Sequence, residues 1–521
     1  MGDKTTNKTI AKNTLALYFR MGISMLVGLF TSRVILQVLG VTDMGINATV
    51  GGVVGFAGFL NSALSNGTSR FLTVALGKGD ERELRSTFST CFWVHLGLAV
   101  VLVLLIETIG LWFLYNKLII PAERMDAAVW VFHLSVISMV ASMTQVPYGA
   151  CLIAHERMDM YAYTSMVDVF LKLIIVYALT LFDVDKLKLY STLFFCTNMG
   201  MLFFYRWFCA TRFEECQLEY KFDKNIFKPI LSFSGWQLFA NIALSLNGNG
   251  ILMLLNMFFS PAVVAARAIS LQVNGYATQF MSNFRTAANP QIIKRYAAGD
   301  YEGSKQLLLE STKYCYYMML MLSLPIFLLS YQLLYVWLGQ VPEYCDIFLK
   351  LVVIQSLFQI FDTGLYTAIY ANGNIKWNAL TSPTIGFTVF PIVYLLFRFG
   401  ASPIALSWVF IGFYAILGCI QKPLILIKIC GYKFQDFIPM YWSCLKVTIA
   451  SSIIPMFFDN WIRTQTGNQF IIFFSVSIIS VLSVCVCSWY MGIDAAVRDK
   501  VLVFIKSKRT ENRIGQHHTN F

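Results

Sequence analysis

Arg267, Asn274, Thr278 and Arg285 fall on one narrow arc of an ideal helix, inside a stretch that is otherwise strongly apolar. Ser270 and Ser282 flank the arc, while Ile269, Val273, Phe280 and Phe284 take the opposite side. Charged side chains in so apolar a stretch face a cavity or a partner, because hydrocarbon solvates them poorly. Guanidinium groups match phosphate through paired donors, so two arginines at the ends of one polar stripe point to an anion such as a phosphate. Interhelical hydrogen bonding is the plainer reading; it accounts well for Asn274 and poorly for two arginines.

Other residues could contribute to the same chemistry. Gln237, Asn241, Ser245, Asn249 and Asn256 lie within an arc of about 120° on the preceding apolar stretch. They offer neutral donors and acceptors of the kind sugar hydroxyls need, or they pack against the next helix. The run Asn247-Gly-Asn-Gly250 is placed to unwind the middle of that helix, which is tolerated only beside protein or water. Arg20 supplies either a third cavity cation or a side chain that snorkels to the surface. Asp168 and Lys172, four apart, form an i,i+4 ion pair or relay a coupling proton. Asp362 shares a helical face with Gln355, Gln359 and Tyr366; it is a candidate for ion coupling, by H+ or Na+, or pairs with an arginine across the bundle.

The elements that must hold these residues are membrane helices. About 20 apolar residues are needed to cross the hydrocarbon core, and the chain carries fourteen such stretches: about 14–38, 45–68, 88–113, 127–153, 161–183, 188–208, 230–258, 262–284, 314–338, 346–371, 379–399, 402–427, 443–461 and 469–491. Apolar residues make up 57% of the 521 and charged residues 13%, with a mean hydropathy of +0.62, which leaves no room for a soluble domain of ordinary size. The net charge of +12 invites a nucleic-acid partner, but its placement argues against one. Roughly 29 of the 40 Lys and Arg fall in the segments on one side of the spans, as the positive-inside rule requires. Both termini are therefore expected in the cytoplasm. The stretch that begins near Thr14 is too long for a signal-peptide core and is expected to stay as the first helix.

The chain also repeats itself. A shift of about 220 residues lays Gly79-Asp80 on Gly299-Asp300 and superposes the flanking spans. An offset of six spans preserves orientation, so the repeats are parallel, and transporters of this kind place the substrate between the halves. The expected organisation is an N-lobe at 1–210 (helices 1–6), a cytoplasmic linker at 211–229, a C-lobe at 230–430 (helices 7–12), and two extra helices with a basic tail at 431–521. The fold class is an all-α membrane protein of about fourteen helices, with two six-helix lobes.

Several local runs carry a resemblance. Thr31-Ser-Arg-Val-Ile-Leu-Gln-Val-Leu-Gly40, followed by Asp43-Met-Gly45, resembles the end of the first helix in polysaccharide-export flippases, as does Asn66-Gly-Thr-Ser-Arg70. Ala265-Ala-Arg-Ala-Ile269 and the segment from Asn283 to Arg295, with Pro290, are similar to the same group, which belongs to the multidrug/oligosaccharidyl-lipid/polysaccharide exporter superfamily. The resemblance implies a central cavity, rocking between inward- and outward-open states, and a polyprenyl-diphosphate-linked oligosaccharide as cargo. It further implies a bacterial cytoplasmic membrane, membrane lipid around the chain, and polysaccharide-assembly proteins as partners.

Other classes find less support. The chain has no GxxxxGK[ST], GxSxG or HExxH, so neither an ATP site nor these hydrolytic centres are built in. The twelve cysteines are scattered without CxxC or Cys/His ligand spacing, and neither a metal nor another cofactor is expected. A cation-coupled multidrug antiporter remains the main alternative, resting on Asp168 and Asp362. A membrane polymerase or ligase would need a larger external loop than any seen here.

Overall fold

The computed structural model describes residues 2–155, 157–217, 223, 227, 238–495 and 498–499; the side chains of 2–21 and of 62, 63, 66, 158, 159, 161, 162, 165 and 286–288 lie outside it. The linker expected at 211–229 falls mostly outside these residues, as does Gln237. Every regular element among the described residues is helical. In chain order they are α1 (Gly2–Gly55), α2 (Gly58–Lys78), α3 (Glu81–Asn116), α4 (Met125–Ala154), α5 (Met158–Leu181), α6 (Lys186–Arg212), α7 (Leu238–Phe258), α8 (Pro261–Ala297), α9 (Tyr301–Leu328), α10 (Ser330–Leu338), α11 (Cys345–Asn372), α12 (Lys376–Arg398), α13 (Ala405–Cys430), α14 (Phe434–Gln465) and α15 (Gln469–Gly492).

Helices apolar on both faces need a solvent that is itself apolar. On α15 one face buries Ile472, Val476 and Val484, while Phe470, Phe474, Ile478, Leu482 and Val486 stand exposed on the other. The same holds on α14, where Trp442, Leu445, Ile449, Ile453 and Phe457 line the outer face. Water would not tolerate such belts, and lipid does: this is a multi-pass membrane protein. Among the described residues, eight helices are long and apolar enough to cross a membrane, or nine if α9 and α10, bent by 81° at their junction, make one span. The fourteen expected spans count every apolar stretch, so the two figures do not measure the same thing.

The chain packs as two compact units, 1–271 with 337–348 and 379–409, and 272–336 with 349–378 and 410–521. In the first, α1 breaks at Gly40, where φ is +77°, and ends at Gly55, with Phe56 and Ala57 between it and α2. The interruption frees backbone carbonyls in an apolar surrounding, where they need partners. Two α7 side chains supply them: Ser245 Oγ donates to Phe56 O at 2.7 Å and Asn249 Nδ2 to Gly55 O at 3.0 Å. The Asn-Gly-Asn-Gly run does not unwind. It forms a π turn, Leu246–Gly250, which takes up one extra residue while the helix continues. Further π turns lie at Ile106–Gly110, Leu417–Gln421 and Ser488–Gly492.

The two Gly-Asp positions adopt one local design. Gly79 and Gly299 have φ of +70° and +82°, a left-handed turn that favours glycine at a helix end. The aspartates then cap the next helices: Asp80 accepts from the Arg82 and Glu83 amides, and Asp300 from the Gly303 amide at 2.9 Å. The first lies in the first unit and the second in the other. In the second unit the core gathers around Phe361, Leu365, Tyr316, Met319, Phe437 and Val447 of α9, α11 and α14.

Candidate functional site

The second unit holds a polar cleft where α8 and α11 face one another. It has a volume of about 240 Å³ and is lined by Thr278, Gln279, Met281, Ser282, Arg285, Ser356, Gln359, Ile360 and Thr363. The helical stripe legible on α8 therefore puts Thr278 and Arg285 on the cleft. Asn274 does not line it: 8% exposed, it accepts from the cleft-lining Ser356 Oγ. Arg285 donates through Nη2 to the Thr363 carbonyl, while its Nε and the Gln359 Oε1 have no hydrogen-bond partner among the described residues. A buried donor or acceptor left open costs roughly 1–3 kcal/mol. Among the described residues, none that lines the cleft is acidic. The arrangement is one open guanidinium edge, ringed by hydroxyls and amides, with the nearby Asp362 carboxylate outside the lining and paired to Lys422. Chemically that suits an anion with many acceptor oxygens.

Asp362 lies on α11 just past the cleft-lining Gln359 but does not line the cleft. It forms an ion pair with Lys422 of α13 at 2.8 Å, with side-chain exposures of 17% and 3%. Lys422 Nζ also donates to Asn378 Oδ1 at 2.6 Å and to Gln421 Oε1 at 3.1 Å, and lies 6.0 Å from the Tyr366 ring centre. The close approach of the helices rests on Gly418, where a Cβ would stand 2.9 Å from Phe358 O and 3.0 Å from Asp362 N. The partner expected for Asp362 was an arginine; it is instead a lysine, and it is buried.

The remaining candidates belong to the first unit. Arg267 is 1% exposed; Nη1 reaches Ser407 Oγ at 3.3 Å, and the guanidinium lies 5.8 Å from the Phe348 ring centre. It lies in the stripe expected from sequence but is enclosed by protein. Asn241 is half-buried on α7. Ser245 and Asn249 are engaged with the α1–α2 interruption described above, and Asn256, fully buried, exchanges two hydrogen bonds with the Ile119 backbone, at 3.0 and 3.3 Å. Asp168 and Lys172 form an ion pair at 2.7 Å on α5. Arg20 lies on α1, with its side chain outside the described residues.

A second cavity in this unit, of about 330 Å³, was not foreseen. It is neutral and hydroxyl-rich, lined among others by Asn47, Asn61, Ser135, Ser138, Ser142, Ser191 and Tyr190. Asn61 Nδ2 donates to Ser142 Oγ at 3.0 Å, leaving Oδ1 without a partner among the described residues. The signal was available: Ser135, Ser138 and Ser142 recur at helical spacing in an apolar helix.

Among the described residues, a helical, multi-pass membrane fold with a polar cleft lined by no acid thus defines the class. Among solved structures the fold is shared with transporters. A lipid II flippase, MurJ, in an inward closed conformation matches with a TM-score of 0.68 at 13% identity, covering 91% of this chain and 97% of that one. An inward-facing multidrug resistance MATE family transporter of the MOP superfamily matches at 0.60 and 13%, covering 80% and 94%. The MATE multidrug transporter DinF-BH matches at 0.55 and 14%, covering 84% and 98%. At these identities the likeness is one of fold. No protein-family model matches the chain, and no curated protein matches it by sequence.

Proposed function

We propose that this protein is a transporter that flips a polyprenyl-diphosphate-linked oligosaccharide across the bacterial cytoplasmic membrane by alternating access, for surface polysaccharide biosynthesis. The observation that carries the reading is Arg285: an open guanidinium edge in a cleft of hydroxyls and amides with no acid among the described residues that line it. A diphosphate in a low-dielectric cleft needs such a donor, and Thr278, Gln279, Ser282 and Gln359 supply neutral partners for sugar hydroxyls. The prenyl tail stays in lipid. The lobes read from sequence, 1–210 and 230–430, are the moving bodies, with 431–521 as an accessory. Arg267 steadies α8, and Arg285 holds the diphosphate. A fold shared with a lipid II flippase agrees with this cargo class.

The multidrug antiporter reading draws on the MATE neighbours and on Asp362. A cationic drug needs an unneutralised acid, however, and Asp362 is paired with Lys422. That pair instead suits coupling of transport to H+ or Na+.

The test is translocation in proteoliposomes. A fluorescent polyprenyl-diphosphate oligosaccharide is followed from one leaflet to the other, for wild type, Arg285→Ala and Arg285→Lys. Wild type exchanges the lipid; Arg285→Ala slows exchange at least tenfold while keeping its thermal midpoint, and Arg285→Lys retains part of the rate. Unaltered exchange in Arg285→Ala removes the diphosphate site from this cleft. Gradient-driven uptake of a cationic dye, with no lipid exchange, selects the antiporter.

A further inference from the structure

Two adjacent acids on one turn of the first unit behave oppositely. After α6 the chain makes a single 3-10 turn, Glu214–Cys216. The Glu214 side chain is 74% exposed and pairs with Arg85. The Glu215 side chain is 7% exposed and points inward. Its Oε1 accepts from Cys151 Sγ at 3.3 Å and lies 2.5 Å from His155 Nε2. Cys216 Sγ, equally enclosed, stands 3.5 Å from Cys151 Sγ. Phe213 stacks on the imidazole at 4.2 Å between ring centres, 19° from parallel, and fixes its plane.

Burying a carboxylate against a thiol and an imidazole is a poor way to stabilise a turn, since a charge taken out of water needs strong partners. With Cys216, these side chains are a good donor set for a soft to borderline metal ion. One donor atom from each of Cys151, His155 and Glu215 lies within 4.8 Å of the other two. We propose that Cys151, His155, Glu215 and Cys216 form a closed divalent-metal site of the zinc class, fastening the turn that opens the interlobe linker to the end of α4.

The donor atoms of Cys151, His155 and Glu215 gather closely, and Cys216, whose sulfur meets that of Cys151, swings in to make the fourth ligand. With Zn–S near 2.3 Å, two thiolates on a tetrahedral ion stand about 3.8 Å apart, close to the separation of the Cys151 and Cys216 sulfurs. Zn–N and Zn–O bonds of about 2.0–2.1 Å put nitrogen and oxygen roughly 3.3 Å apart, so His155 and Glu215 open by under an ångström when an ion replaces the proton between them. Cys151 and His155 are one helical turn apart, which makes them a ready chelate. Thiolate with imidazole and carboxylate selects zinc over magnesium or calcium, which prefer oxygen donors only. The i,i+4 spacing of Cys151 and His155 is the local signal for the site, but its two halves lie sixty residues apart and meet through the packing of α4 against α6. The assignment does not depend on what the protein transports.

The experiment uses the full chain, purified in detergent without an affinity tag, stripped with a chelator and titrated with Co2+ and then Zn2+. The expected result is one Co2+ per chain with thiolate-to-cobalt charge-transfer absorption, displaced by one Zn2+, and a raised thermal midpoint. Cys151→Ser and His155→Gln should each weaken binding by more than the ~10–100-fold typical of losing an outer-shell partner. Cys196→Ser, an exposed cysteine elsewhere, should change nothing. His155→Gln covers the case in which Cys151→Ser fails to fold. Folded protein that shows no charge-transfer band at excess Co2+ overturns the proposal, and so does a Cys151–Cys216 disulfide found by mass spectrometry in protein purified under reductant.

Discussion

Replacing Asp362 by Asn isolates a lysine that is 3% exposed, and the cost can be worked from its surroundings. Breaking a buried ion pair by removing one partner typically costs about 3–5 kcal/mol, because the other charge stays in low dielectric. Lys422 keeps two acceptors, Asn378 Oδ1 at 2.6 Å and Gln421 Oε1 at 3.1 Å, so the lower end applies. Asp362→Asn should lose about 3 kcal/mol, some two decades in the unfolding equilibrium. The double variant Asp362→Leu with Lys422→Met removes both charges and should recover to within about 1 kcal/mol of wild type. Reversible unfolding in mixed detergent micelles, followed by circular dichroism, reads both values. A loss under about 1 kcal/mol for the single variant, or a double variant no better than the single, refutes the argument that burial and pairing are coupled here. The same proteins separate structure from function. If the folded double variant flips lipid but no longer responds to an imposed ion gradient, the pair serves coupling; if it responds as wild type does, the pair is structural.

Four other variants have expected outcomes. Gly418→Ala places a methyl 2.8 Å from Phe361 Cβ and 2.9 Å from Phe358 O, so it should cost about 1–3 kcal/mol by overpacking, read as a lower thermal midpoint. Asn256→Leu strips the Ile119 carbonyl of its donor in a fully buried setting and should cost about 1–3 kcal/mol in the same assay, whereas an unchanged midpoint would mean the chain relaxes around it. Arg124 donates to Asp43 at 2.6 Å and to Asp185 at 2.7 Å, and Arg124→Ala should cost about 2 kcal/mol near neutral pH. Asp185 also carries a pH signature: burial raises its carboxyl, but Arg124 and the Lys188 amide outweigh that and hold it below the ordinary value. A depressed pKa stabilises the fold above the unfolded value and is lost as pH falls through the folded one, so wild type should weaken below about pH 4 and Asp185→Asn should flatten that acid limb.

Helicity and membrane placement were legible from sequence because both faces of helices such as α14 and α15 are apolar, a pattern few other environments permit. The polar face of α8 was legible for the same geometric reason, yet the ends of that face differ in a way spacing cannot show. Arg267 and Arg285 lie on the same arc, but Ser407 and Phe348 close over one while the other lines a cleft. Ser245 and Asn249 carried a signal for sugar binding that is explained by need elsewhere: two carbonyls freed where α1 gives way to α2. Lys422 was missed because its partner lies sixty residues earlier, and because a π turn precedes it and displaces it from the register of a regular helix. The neutral cavity of the first unit was overlooked because serines in an apolar helix read first as packing.

That π turn at Leu417–Gln421 leaves a mark that homologous sequences would carry. Such a turn is geometrically a regular helix with one residue inserted, so its removal restores an unbroken ladder of backbone bonds at little local cost. Everything after it, however, would swing by about 100° around the helix axis. A relative one residue shorter between Gly412 and Gln421 would still fold this span but turn its counterpart of Lys422 away from Asp362. Within such a lineage, a single-residue gap here should therefore coincide with loss of the acid, making the gap and the aspartate a linked pair of characters.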